Sequence, residues 1–171
     1  MKTLYLLRHA KSSWADDSLT DAERPLNRRG EMAAPRMGAY MHDKGWLPDL
    51  VLCSTALRAQ QTWALVAAQI GRELAVKHLR SLYLAAPSRI LDLIRRQPDA
   101  AGALLLVGHN PGLERLVAQL AGPGSKQKAL AAFQDKFPTA ALAVLRFEVE
   151  RWREVGEGGG RLIHFVTPRA L

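Results

Sequence analysis

The stretch AGALLLVGHNPG at residues 101–112 constrains this chain more than any other. From Ala103 to Val107 it is apolar without interruption, too short for a helix and without polar alternation, so it reads as a strand covered on both faces. A strand of that kind requires a sheet with further layers packed above and below it. Asn110-Pro111-Gly112 then breaks the run, because proline lacks a backbone donor and glycine frees the turn, and LERLVAQLAG resumes with a helical period.

The rest of the chain alternates in the same way. KTLYLLRH is a first strand with a continuous apolar face, followed by a helix from about Asn27 to Asp43. LPDLVLCS is a second strand, and the helix after it runs from about Ala56 to Ile70 and ends at Gly71, a favourable terminating residue. A weaker strand, LAVKHL, precedes a helix from about Ser88 to Arg96 that Pro98 stops. Residues 122–138, rich in glycine and proline, read as an irregular excursion. AALAVLRFEV and GRLIHFVTP are expected as two final strands joined by EVGEGGG, and at least one must run antiparallel because that link is too short for a helical crossover. The pattern predicts an α/β fold with a mostly parallel sheet and an antiparallel strand near the C-terminus. With 171 residues, 48% of them hydrophobic, one domain over 1–171 is expected.

Composition narrows the partners. The formal charge of +8 suits any phosphorylated ligand, yet the basic residues are scattered through RPLNRRG, LIRRQ and FEVERWRE and mixed with acids. A nucleic-acid stripe would cluster them with aromatics, so nucleic acid is not the expected partner. The single cysteine, Cys53, sits in LVLCS as a small buried apolar side chain, and a cytoplasmic setting is expected. LYLL before Arg8 is far shorter than a secretory apolar region, and no later segment is long enough to span a bilayer, so no membrane association is expected. His42, His78 and His164 show no metal-ligand spacing; no metal or cofactor is expected.

In an open α/β sheet, ligands collect outside the carboxyl ends of the strands. Three clusters fall at such ends: LLRHAKS with Arg8 and His9, CSTALRAQQT with Arg58, and LLVGHNPG with His109. Two imidazoles and two guanidiniums at one mouth suit a phosphoryl group, since guanidinium forks orient its oxygens and a neutral imidazole is a competent nucleophile near neutral pH. Lys11, Ser12 and Ser13 offer further phosphate donors after His9, and Trp14 lies close enough to touch a substrate.

These three motifs, in this order and spacing, resemble the histidine phosphatase superfamily, and the chain is most similar to its small SixA-like protein phosphohistidine phosphatases. AERPLNRRG, LYLAAP and FPTAALAVLRF extend the likeness over nearly the whole chain. The resemblance implies a three-layer αβα sandwich, a phosphohistidine intermediate on His9, phosphate contacts from Arg8, Arg58 and His109, and Arg24 at the pocket edge. Arg24, Ser12 and Asn110 are the candidate substrate-binding residues.

The chain departs from the superfamily at the proton donor. Mutase-like members carry a Glu after the third strand, where SLYLAAPS has no carboxylate, and acid phosphatases carry an Asp after the second His, where Asn110 stands. An amide cannot protonate a departing alkoxide. Asp16, Asp21 and Glu23 are the acids that a loop motion would bring in. The expected substrate is therefore a phosphohistidine in a phosphorelay protein, with inorganic phosphate bound in the site. A small phosphorylated metabolite as substrate, and a non-catalytic phosphate- or nucleic-acid-binding module, are the alternatives.

Overall fold

A computed structural model describes residues 1–171. Six strands alternate with five helices: β1 (Lys2–Arg8), α1 (Arg28–Lys44), β2 (Leu50–Ser54), α2 (Leu57–Ile70), β3 (Ala75–Leu79), α3 (Pro87–Arg95), β4 (Ala103–Gly108), α4 (Gly112–Leu120), α5 (Gln127–Asp135), β5 (Leu142–Phe147) and β6 (Gly160–Val166). The strands form one sheet in the order β3-β2-β4-β1-β5-β6. Pairing is parallel from β3 through β1, and β5 runs antiparallel to both β1 and β6. The stretch that most constrained the sequence, β4, lies in the interior of this sheet between β1 and β2.

Successive side chains of a strand point to opposite faces, and here both faces are apolar. Leu4, Leu6, Leu52, Leu104 and Leu106 face one way and pack with Ile90, Ile94, Leu113, Leu116 and Phe133 of α3, α4 and α5. Tyr5, Leu7, Val51, Leu105 and Val107 face the other way, against Met37, Met41, Trp63 and Val66 of α1 and α2. The result is the expected αβα arrangement. Each fully buried leucine of this kind contributes about 1.5–3 kcal/mol of apolar transfer. Cys53 is fully buried in the second of these clusters, and burial pushes its thiol pKa up to about 12.

Local signals set the element ends. Asn27 caps α1 by accepting the Gly30 amide at 2.9 Å, and Gly45 closes it in the left-handed region at φ 69°. Gly71 closes α2 in the same way at φ 77°. The excursion expected at residues 122–138 instead contains α5, a nine-residue helix that buries Ala129 and Phe133, one turn apart, under β6. The connection between β5 and β6 is longer than the glycine loop alone, because Trp152 folds inward to full burial and its indole N–H donates to the Ala101 carbonyl at 2.7 Å. No helix is long and apolar enough to cross a membrane.

Candidate active site

The order β2-β4-β1 brings three strand exits side by side. Arg8, the last residue of β1, stands in register with Gly108, the last of β4, and the His9 amide donates to the Gly108 carbonyl at 3.0 Å. His9 and His109 are thereby neighbours, with ring centroids 5.1 Å apart. Arg58 enters from the first turn of α2, one turn beyond the end of β2. The chain before β5 completes the enclosure: the Ala140 amide donates to the carbonyls of Arg8 and His9, and the Phe137 carbonyl accepts from Arg8 Nη1 at 3.0 Å.

A pocket of about 240 Å³ opens here, lined by Arg8, His9, Lys11, Ser12, Trp14, Arg24, Arg58 and Thr139. It contains four permanent cations and no carboxylate in its lining. His9 Nδ1 lies 2.7 Å from the Ala10 carbonyl, which requires that nitrogen to carry the proton and leaves Nε2 with a free lone pair. Burial first, and then the positive charges of Arg58, Arg8 and Arg24, lower the His9 pKa to about 4. Its imidazole is neutral through the physiological range. His109 is lowered to about 3, again by burial first, then by His9 and Arg58, with Asp21 opposing.

The two imidazoles differ in what holds them. His109 Nε2 is 2.7 Å from Ser54 Oγ, while its Nδ1 is buried without a hydrogen-bond partner in the protein. Arg8 Nε is buried and unpartnered as well; the third such nitrogen, Arg161 Nε, belongs to β6 outside the pocket. An anion would satisfy the Arg8 N–H, and also His109 Nδ1 in the tautomer in which Ser54 Oγ donates to Nε2.

Asp21, Thr62 and Tyr83 brace the site from behind its lining. Asp21 accepts from Arg58 Nη2 at 2.9 Å and from Arg24 Nη1 at 2.9 Å, and takes a short hydrogen bond from the Tyr83 hydroxyl. Its backbone carbonyl accepts from Arg58 Nη1 at 2.6 Å. These contacts, the Tyr83 hydroxyl foremost and then the two guanidiniums, hold the Asp21 pKa down to about 2. Thr62 accepts the Ala10 amide at 2.9 Å and donates to the Arg58 carbonyl at 2.6 Å, which ties the loop after β1 to α2. Asp21, offered by the sequence as an acid that a loop motion would bring in, is instead held by Arg58, Arg24 and Tyr83; Thr62 and Tyr83 carry no signal in the sequence, because only tertiary packing brings them here.

Of the candidate substrate-binding residues, Ser12 and Arg24 line the pocket and Asn110 does not. The Asn110 side chain is occupied twice, with Nδ2 donating to the Phe137 carbonyl at 3.1 Å and Oδ1 accepting the Glu114 amide at 3.2 Å, so it fastens the start of α4 to the chain before β5. Arg24 is 7% exposed, and its three nitrogens bond to Ser13 O, Asp21 Oδ1 and Ser12 Oγ. Trp14 stacks on that guanidinium at 3.1 Å and is otherwise open to solvent. Asp16 and Glu23 face outward and serve local turns, with Ser18 and Thr20 respectively.

A model of the histidine phosphatase superfamily (branch 1) matches residues 4–83, the stretch that carries Arg8, His9, Arg24 and Arg58. An uncharacterized protein of Mycobacterium tuberculosis is 37% identical over 164 residues, which is 95% of this chain and 100% of that protein. A solved structure from Agrobacterium tumefaciens, named for the phosphohistidine phosphatase SixA, is 33% identical with a TM-score of 0.80 and 98% of both chains covered. The chain belongs to the histidine phosphatase superfamily. A second structure named for SixA, from Nakamurella multipartitia, matches this superfamily member with a TM-score of 0.83 at 29% identity, over 98% of this chain and 96% of that one. In this histidine phosphatase Tyr83, four residues beyond the end of β3, meets the His109 ring edge-on at 5.5 Å between centroids.

Proposed function

We propose that the protein removes phosphate from phosphohistidine in a protein substrate, through a covalent intermediate on His9. The observation that carries this reading is the pairing of a fixed, neutral His9, its Nε2 free, with a pocket lined by Arg8, Arg58 and Arg24 and backed by the orphaned nitrogens of Arg8 and His109. Nε2 attacks phosphorus as the bond from phosphorus to the substrate imidazole breaks. That imidazole, protonated on its second nitrogen, leaves as a neutral ring. Arg8, Arg58 and His109 meet the phosphoryl oxygens and offset their developing charge. Water then attacks the phosphohistidine on His9, inorganic phosphate departs, and His9 recovers its lone pair.

The choice of leaving group rests on Asp21. The pocket's nearest carboxylate is ionised and held by two guanidiniums, so it has no proton to give to an alkoxide. A leaving imidazole, whose conjugate acid has a pKa of about 6.5, needs no such donor.

The test is hydrolysis of a phosphohistidine protein, a sugar phosphate and an aryl phosphate side by side, with wild type and His9→Ala. The expected result is a strong preference for the phosphohistidine protein, an acid-labile and alkali-stable phosphoenzyme in the wild type, and a loss of at least about a thousandfold in His9→Ala. A preference for the sugar phosphate, or full turnover by His9→Ala, refutes the reading.

A further inference from the structure

Next to the phosphate pocket lies a second concavity of about 450 Å³, lined among others by Lys11, Arg29, Lys136, Arg169, Thr139 and Asp135. Lys11 and Thr139 belong to both, so the two are continuous. Four cations face one carboxylate here. None of the four takes part in any of the ion pairs of the chain, which lie at Asp21, Asp43 and Glu148. Arg29 stands in the first turn of α1, where the helix macrodipole is positive and a cation is disfavoured. Lys136 follows the end of α5, and Arg169 lies beyond the end of β6. Four separate parts of the fold thus bring unpaired positive charge to one cleft, at a cost in self-repulsion that stability alone does not repay.

The two concavities differ in build. In the phosphate pocket Arg58 is buried and fixed by Asp21, a geometry suited to one tetrahedral anion. The side chains of Lys11, Arg29, Lys136 and Arg169 are exposed and hold no fixed partner, so they meet anions whose positions vary. Carboxylates on a protein surface are such anions; a second phosphate on a rigid small molecule is not.

We infer that this cleft is a second subsite of the enzyme, which takes acidic side chains lying beside the phosphorylated residue of a protein substrate. The inference rests on the protein-substrate reading above and adds where that protein docks.

The experiment has two arms. In the first, a glutamate-rich peptide is titrated into His9→Ala protein at low salt, and backbone amide shifts are followed by NMR. Shifts centred on Lys11, Arg29, Lys136 and Arg169, abolished by high salt, are expected. No shifts there, or shifts from a doubly phosphorylated sugar but not from the peptide, overturn the inference. In the second, Arg29→Glu, Lys136→Glu and Arg169→Glu are combined in an otherwise wild-type chain, with folding checked by its melting temperature. KM for an acidic phosphohistidine protein is expected to rise about tenfold, with kcat unchanged and hydrolysis of phosphoramidate unaffected. An equal loss on phosphoramidate, or no change on the protein, overturns it. If the peptide occupies the cleft but wild type leaves phosphohistidine intact, the functional reading falls and the subsite stands.

Discussion

Asp21 joins Arg58, Arg24 and Tyr83 through one carboxylate, and Asp21→Asn would delete its charge while keeping its shape. Arg58 is 4% exposed and would lose its counter-charge, at a cost of about 1–3 kcal/mol, less than for a fully buried pair because the carboxylate is half open to water. Arg58 would also be less well placed for phosphoryl oxygens. The expected outcome is a fall in kcat of about tenfold together with a lower melting temperature, and kinetics with an unfolding curve on the same sample check both. At this scale the gathering of Arg8, His9, Arg58 and His109 was legible, because three motifs place them together at the ends of strands. Ser54, Thr62 and Tyr83 were not, since each is an ordinary residue until tertiary packing sets it against His109, Ala10 or Asp21. Asn110 was legible as a motif member but not by role, because nothing in GHNPG shows that its amide turns back to fasten α4.

Among the elements, α1 has two glycines with no room for a side chain. A Cβ built on Gly30 would lie 2.2 Å from the Lys11 carbonyl oxygen, and one built on Gly38 would lie 2.7 Å from the Val66 carbonyl oxygen. The first glycine lets the start of α1 press on the loop after His9, and the second lets α1 press on α2. Gly30→Ala is expected to destabilise the fold by about 1–3 kcal/mol and to lower turnover by moving Lys11 and Ser12, whereas an exposed change such as Glu31→Ala should do neither. Denaturant unfolding and steady-state kinetics of the two variants decide it. Strands were read well from sequence because two-sided burial leaves an unbroken apolar run. The helix α5 was missed because Gly122, Pro123, Gly124 and Pro138 dominate its surroundings and only Ala129 and Phe133 mark its buried stripe.

For the whole molecule, the two histidines tie stability to acidity. Unfolded, both take up protons below about pH 6.5; folded, they stay neutral down to about 4 for His9 and about 3 for His109. Between pH 6.5 and 4 the unfolded state therefore binds more protons, and stability falls as pH falls. Asp21, with its pKa held at about 2, adds a loss in the same direction only below its unfolded pKa near 3.8. A plot of unfolding free energy against pH should decline from neutrality toward pH 4, and more gently in His109→Gln. A flat profile across that window would show that the histidines are not held neutral. The sheet order has a consequence of another kind. Because β4 is wedged between β1 and β2, a nascent chain that has already delivered Arg8, His9 and Arg58 cannot assemble them until the wedge strand has left the ribosome. A chain that stops short of β4 is therefore expected to leave Arg8 and Arg58 apart and to bind no phosphate.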